Sequence, residues 1–145
     1  MEWHDLLGTP WRLHESRPGP DGGMDCSTLA ETVLRRLGGT PPSTNPYRFR
    51  ESDGVLGEMG SYFHYLDAAY ERLGESVACA TRRGDLVLAR DEEGVARHLY
   101  VCVEPDRSTF LTTTHNIGVV ALRGYAIQRV AGVYRLRDLP EEKER

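Results

Sequence analysis

Gly23-Met24-Asp25-Cys26-Ser27-Thr28-Leu29 is the stretch whose reading decides the fold. Upstream, Pro18-Gly19-Pro20-Asp21-Gly22-Gly23 is dense in helix breakers and reads as a loop. Downstream, Leu29, Val33, Leu34 and Leu37 recur at helical spacing, and Gly38-Gly39 closes the run. Asp25 therefore reads as an N-cap, and Cys26 as the first residue of a helix that ends near Leu37. There the unpaired N–H groups and the helix dipole favour an anion, which predicts a thiol shifted towards thiolate. A cysteine placed in this way is a candidate nucleophile. The competing reading is a small apolar residue at a helix start, since cysteine is common in cores.

The second half of the chain supplies a partner. Arg83-Gly84-Asp85 reads as a turn, Leu86-Val87-Leu88-Ala89 as a buried strand, and Asp91-Glu92-Glu93-Gly94 as a hairpin loop. The returning strand, Arg97 to Val103, opens with His98. A histidine carried on a strand towards a cysteine helix fits the nucleophile–base–orienter logic of thiol hydrolases. Around these elements the pattern predicts a short helix over residues 2–7 and a second amphipathic helix from Gly60 to Gly74. The aromatics of that second helix, Tyr62, Phe63, Tyr65 and Tyr70, read as core and rim packing. Short β-runs follow at 76–80, 85–90, 97–103, 108–113, 118–122 and 131–136. Helices first and an antiparallel meander after them make an α+β pattern.

A chain of 145 residues holds one domain with a single core, here 1–145, in which about 138–145 reads as a frayed acidic tail. The net charge of −4 offers no basic footprint for nucleic acid. The three cysteines, Cys26, Cys79 and Cys102, are odd in number and form no C-x-x-C, which argues against a disulfide framework. Cys79 and Cys102 lie in apolar, strand-like runs and read as inert buried thiols. Cys26, Asp25, His98, Cys102 and His115 lack the local spacing of a zinc site, and His4, His14 and His64 have no partners at recognisable spacing. Gly22-Gly23 lacks the lysine and spacing of a phosphate loop. Met1-Glu2-Trp3-His4-Asp5 shows no basic or apolar leader region, and no apolar run reaches membrane-spanning length. The expectation is a protein made in the cytoplasm without membrane insertion.

Four segments, taken in order, resemble the NlpC/P60 cysteine peptidases, a papain-like family that cuts peptidoglycan stem peptides. Leu7-Gly8-Thr9-Pro10-Trp11 is similar to the family's "LGTPY" element, and Gly23 to Leu29 to its "GxDCSGL" nucleophile motif. Gly84-Asp85-Leu86-Val87-Leu88 resembles the "GDLV" strand, and Arg97-His98-Leu99-Tyr100-Val101 the "HVGIY" strand. The closing Gly118-Val119-Val120 and Val130-Ala131-Gly132-Val133-Tyr134-Arg135-Leu136 look most like compact versions from tailed phages and gene transfer agents. The resemblance implies a papain-like fold, with the nucleophile helix packed on an antiparallel sheet. It also implies hydrolysis of an amide between D-γ-glutamate and the diamino acid of a stem peptide. Cys26 and His98 would be the catalytic pair, and Trp11, Asp25 and Ser27 would contact substrate. No metal or organic cofactor is implied. Implied partners are peptidoglycan peptides and the proteins of a phage tail or injection device, so the chain would be virion- or tail-associated. Two other readings remain open, a weakly active structural copy in a tail tip and an effector-type amidase.

The chain departs from the family pattern in three places. Trp11 replaces a tyrosine, which keeps an aromatic wall and an N–H but removes a hydroxyl. Thr28 replaces a glycine after the nucleophile. Counting back from Gly118-Val119, the segment Phe110-Leu111-Thr112-Thr113 puts Thr112 where the family's orienting histidine stands. His115 or Asn116 would take that role under a small shift of register.

Overall fold

The computed structural model describes residues 1–42, 66 and 69–141. Asp25 starts the main helix, α1 (Cys26–Arg36), through a reciprocal cap. Its Oδ1 accepts the Thr28 N–H at 2.8 Å, and Thr28 Oγ1 accepts the Asp25 N–H at 2.9 Å. Two otherwise orphaned donors are thereby satisfied. The helix stops where Gly38 takes φ +90°, a conformation that a side chain strains. There the Gly39 N–H reaches the Leu34 carbonyl at 2.9 Å and the Gly38 N–H reaches Arg35 at 3.0 Å, which closes a Schellman motif.

Two short strands, β1 (Ser16–Arg17) and β2 (Gly23–Met24), pair antiparallel just before α1. The main sheet contains β3 (Tyr70–Gly74), β4 (Leu86–Arg90), β5 (Ala96–Glu104), β6 (Thr109–Thr114), β7 (Gly118–Arg123) and β8 (Val130–Leu136). Its spatial order is β3-β8-β4-β5-β6-β7, with every pairing antiparallel. Leu29, Val33 and Leu34 of α1 pack on one face of this sheet, against Leu86, Leu88, Leu99, Val101 and Leu111. The opposite face gathers Val87, Cys102, Phe110, Ile127 and Val133. Burying one such leucine contributes about 1.5–3 kcal/mol, so the helix is held mainly by the sheet beneath it. The expected α+β arrangement, with one helix on an antiparallel sheet, is the observed architecture. Among the described residues no helix is long and apolar enough to cross a membrane.

Local elements differ from expectation in places. Residues 2–7 form only a 3-10 turn, His4–Leu6. The amphipathic helix expected from Gly60 to Gly74 falls largely outside the described residues, as do Tyr62, Phe63 and Tyr65. Leu66 and Ala69 of it are helical, but its last part is not, because Tyr70–Gly74 is an edge strand paired with β8. The β-run expected at 76–80 is a 3-10 turn, Val77–Cys79, in which Ser76 Oγ accepts the Ala78 N–H. Cys102 is buried as expected, whereas Cys79 is half-buried.

The Gly84-Asp85 turn acquires a physical explanation. Asp85 is fully buried and accepts the N–H groups of Thr81 and Arg82, both at 3.0 Å. Arg135 of β8 grips the same carboxylate with two bonds, at 2.8 and 2.7 Å. Asp85→Ala should leave two N–H groups and a guanidinium without this partner, at a cost of about 3 kcal/mol. Calorimetry should show a melting point lowered by roughly 10 °C. A shift under a few degrees would mean that the fork does not anchor the sheet.

Candidate active site

Cys26 occupies the first position of α1, held there by Asp25, which also ties down the N-terminal segment. Asp25 Oδ2 accepts the His14 N–H at 2.7 Å, and Oδ1 accepts the Ser27 hydroxyl at 2.6 Å. Both carboxylate oxygens are thus occupied within the protein, as is the Ser27 hydroxyl. Trp11 is bridged to Met24, with the Arg12 N–H donating to the Met24 carbonyl at 3.2 Å. From the other side, the Val119 N–H donates to the Thr9 carbonyl at 2.9 Å. That close approach requires Gly118, at φ +85°, because an added Cβ would lie 2.1 Å from the Thr9 oxygen. The "LGTPY"-like segment is therefore the strap that carries Trp11 to the site. Its indole packs on His115 with ring centroids 4.1 Å apart and a tilt of 55°.

His98 lies just after a bulge in β5. Ala89 pairs with His98 but Arg90 pairs with Ala96, so Arg97 is the extra residue. Ala96 and Leu99, three positions apart, both join the cluster beneath α1. A bulge bends a strand locally and re-aims its side chains. The Cys26 sulfur sits 3.9 Å from the Arg97 carbonyl oxygen, on this same bulge.

The imidazole is held by Thr112. Its Oγ1 lies 3.0 Å from His98 Nε2 and donates its proton to the Leu99 carbonyl at 2.8 Å. A threonine hydroxyl has one proton and a carbonyl can only accept, so towards the ring Oγ1 must be the acceptor. Nε2 therefore carries the hydrogen, and in the neutral ring Nδ1 is the basic nitrogen. Tyr100 packs beside His98 with centroids 5.0 Å apart. Burial lowers the His98 pKa below its ordinary 6.5, and the charge of His115 lowers it further, against the pull of Asp91. The Tyr100 hydroxyl is pushed up by burial and, secondarily, by a charge on Cys26.

A cleft of about 750 Å³ is lined by Trp11, Asp25, Cys26, Ser27, His98 and His115, together with Asn116. The structure brings every one of the expected site residues except Thr112 to this cavity, and Thr112 stands behind it at the histidine ring. The His98 partner is Thr112, while His115 packs on Trp11. Sequence reading passed over Arg97, paired to Asp91 at 2.6 Å, and the exposed Leu13 and Ile117, all of which also line the cleft. The only signal for Arg97 was its adjacency to His98. Leu13 and Ile117 gave none, because exposed apolar residues in loops are common. No family model matches this sequence, and comparison with the curated proteins likewise produces no match.

The electrostatics predict a titration. Burial disfavours the imidazolium, so in Cys26→Ser protein the His98 ring should titrate by NMR below 6.5. His115 acts in the same direction through its positive charge, so adding His115→Ala should raise the midpoint. A midpoint at or above the ordinary value, or one that His115→Ala leaves in place, contradicts this.

Proposed function

We propose that the protein is a cysteine peptidase of the NlpC/P60 kind, hydrolysing an amide bond in peptidoglycan stem peptides. The observation that carries the reading is the tautomer of His98. With Nε2–H bound to Thr112, Nδ1 is left to serve as the base, and His98 lines the same cleft as a cysteine at a helix start. In the proposed reaction Nδ1 takes the Cys26 proton and the thiolate attacks the substrate carbonyl. The positive end of the α1 dipole, at which Cys26 stands, would favour the developing oxyanion. The imidazolium then gives its proton to the departing amine as the C–N bond breaks. Water, with His98 again as base, releases the acyl group from sulfur. No metal or organic cofactor enters this scheme. Delivery within a phage tail or related injection device rests on the phage-like closing segments and remains part of the proposal.

One observation favours a second reading. Thr112 is neutral, so it stabilises an imidazolium less than a charged orienter would. A slow or structural copy, retained in a tail tip, is the reading this supports.

Digestion of purified peptidoglycan separates the two. The wild-type protein should release peptide fragments. Cys26→Ser and His98→Ala should release none, with melting points within a few degrees of wild type. Thr112→His should increase the rate. Hydrolysis that persists in either dyad variant rules the pair out, and an inert wild type favours the structural reading.

A further inference from the structure

Thr112 and Thr113 are consecutive on β6, so their side chains leave the sheet on opposite faces. Thr112 serves His98. Thr113 follows Leu111 on the other face and lies opposite Val119 of β7, and both of those belong to the cluster beneath α1. It is 3% exposed, and its Oγ1 has no hydrogen-bond partner among the described residues. A hydroxyl in that position has surrendered water without replacement, which native structures seldom tolerate without a use for the group. Valine would fill the same volume between Leu111 and Val119 without that cost. Yet Thr113 also lines the cleft that holds Cys26 and His98.

We infer that the Thr113 hydroxyl is a substrate-binding group, which hydrogen-bonds a peptide unit of the bound stem peptide next to the bond Cys26 attacks. The inference rests on the peptidase reading above and adds a residue that sets substrate position. A hydroxyl both donates and accepts, so it suits either the C=O or the N–H of a peptide group. It carries no charge and leaves the His98 titration alone. Among the described residues Oγ1 has no hydrogen bond to give up when it meets substrate. The desolvation has already been met on folding. The bond to substrate therefore contributes more than one from a hydrated surface hydroxyl would.

Thr113→Val and Thr113→Ser test this, read by melting temperature, by initial rates on stem peptides released from peptidoglycan, and by iodoacetamide labelling of Cys26. Thr113→Val should melt at or above wild type, because it removes no bond among the described residues. Its kcat/KM should fall about tenfold or more, and Thr113→Ser should keep most of the wild-type rate. Cys26 labelling should not change. Melting several degrees lower in Thr113→Val would mean a structural hydroxyl, and slower labelling would mean an action on the thiol; either overturns the inference. An active wild type with an equally active Thr113→Val sinks this inference alone. A wild type that cuts no stem peptide sinks the peptidase reading and this inference with it.

Discussion

Everything at the site hangs on the Asp25 carboxylate. One of its oxygens caps α1 through the Thr28 N–H and receives the Ser27 hydroxyl, while the other holds the His14 N–H. A single buried side chain thus sets where the helix begins, which residue stands first in it, and how the preceding loop lies against it. The second restraint is the pair of bridges on either side of Trp11, to Met24 before α1 and to Val119 of β7. Helix start and sheet edge are joined through one strap, and the cleft forms between them.

The chemistry of the histidine follows from hydrogen-bond arithmetic rather than from charge. Thr112 has one proton, committed to Leu99, so it can only accept from His98. While that proton stays on Leu99 it selects the tautomer, yet it adds no negative charge to hold an imidazolium. Burial and the neighbouring His115 push in the same direction, towards a neutral ring. A site built in this way orients its imidazole well and stabilises the charged form weakly. Orientation without charge fits a slow enzyme and a structural role alike.

Much of this was legible in the sequence. Asp25, the apolar spacing from Leu29 to Leu37 and Gly38-Gly39 gave α1 nearly to the residue, because caps and period are local signals. Strands β4 to β8 followed from apolar runs bounded by turns. The count back from Gly118-Val119 put Thr112 beside His98, since an antiparallel hairpin transmits register faithfully. The misses are tertiary in origin. Tyr70–Gly74 carries a helix-like period but pairs with Val133 to Leu136, far along the chain, and the distant partner prevails over the local pattern. Ser76 turns the small-residue run Val77–Cys79 into a 3-10 cap that no alternation reveals. The Thr113 hydroxyl, without a partner among the described residues, belongs to the same class, because hydrogen-bond pairing is a property of the packed molecule.

The central claim is that Cys26 is a nucleophile coupled to His98, and not a core thiol at a helix start. The direct measurement is the rate of iodoacetamide labelling at each cysteine at neutral pH, followed by mass spectrometry in wild-type and His98→Ala protein. Half-buried Cys79 is the internal control for exposure, and buried Cys102 the control for opening of the fold. The account predicts that Cys26 is labelled well before either, and that His98→Ala slows Cys26 while leaving Cys79 unchanged. Labelling at Cys26 no faster than at Cys79, or a Cys26 rate indifferent to His98→Ala, would contradict it.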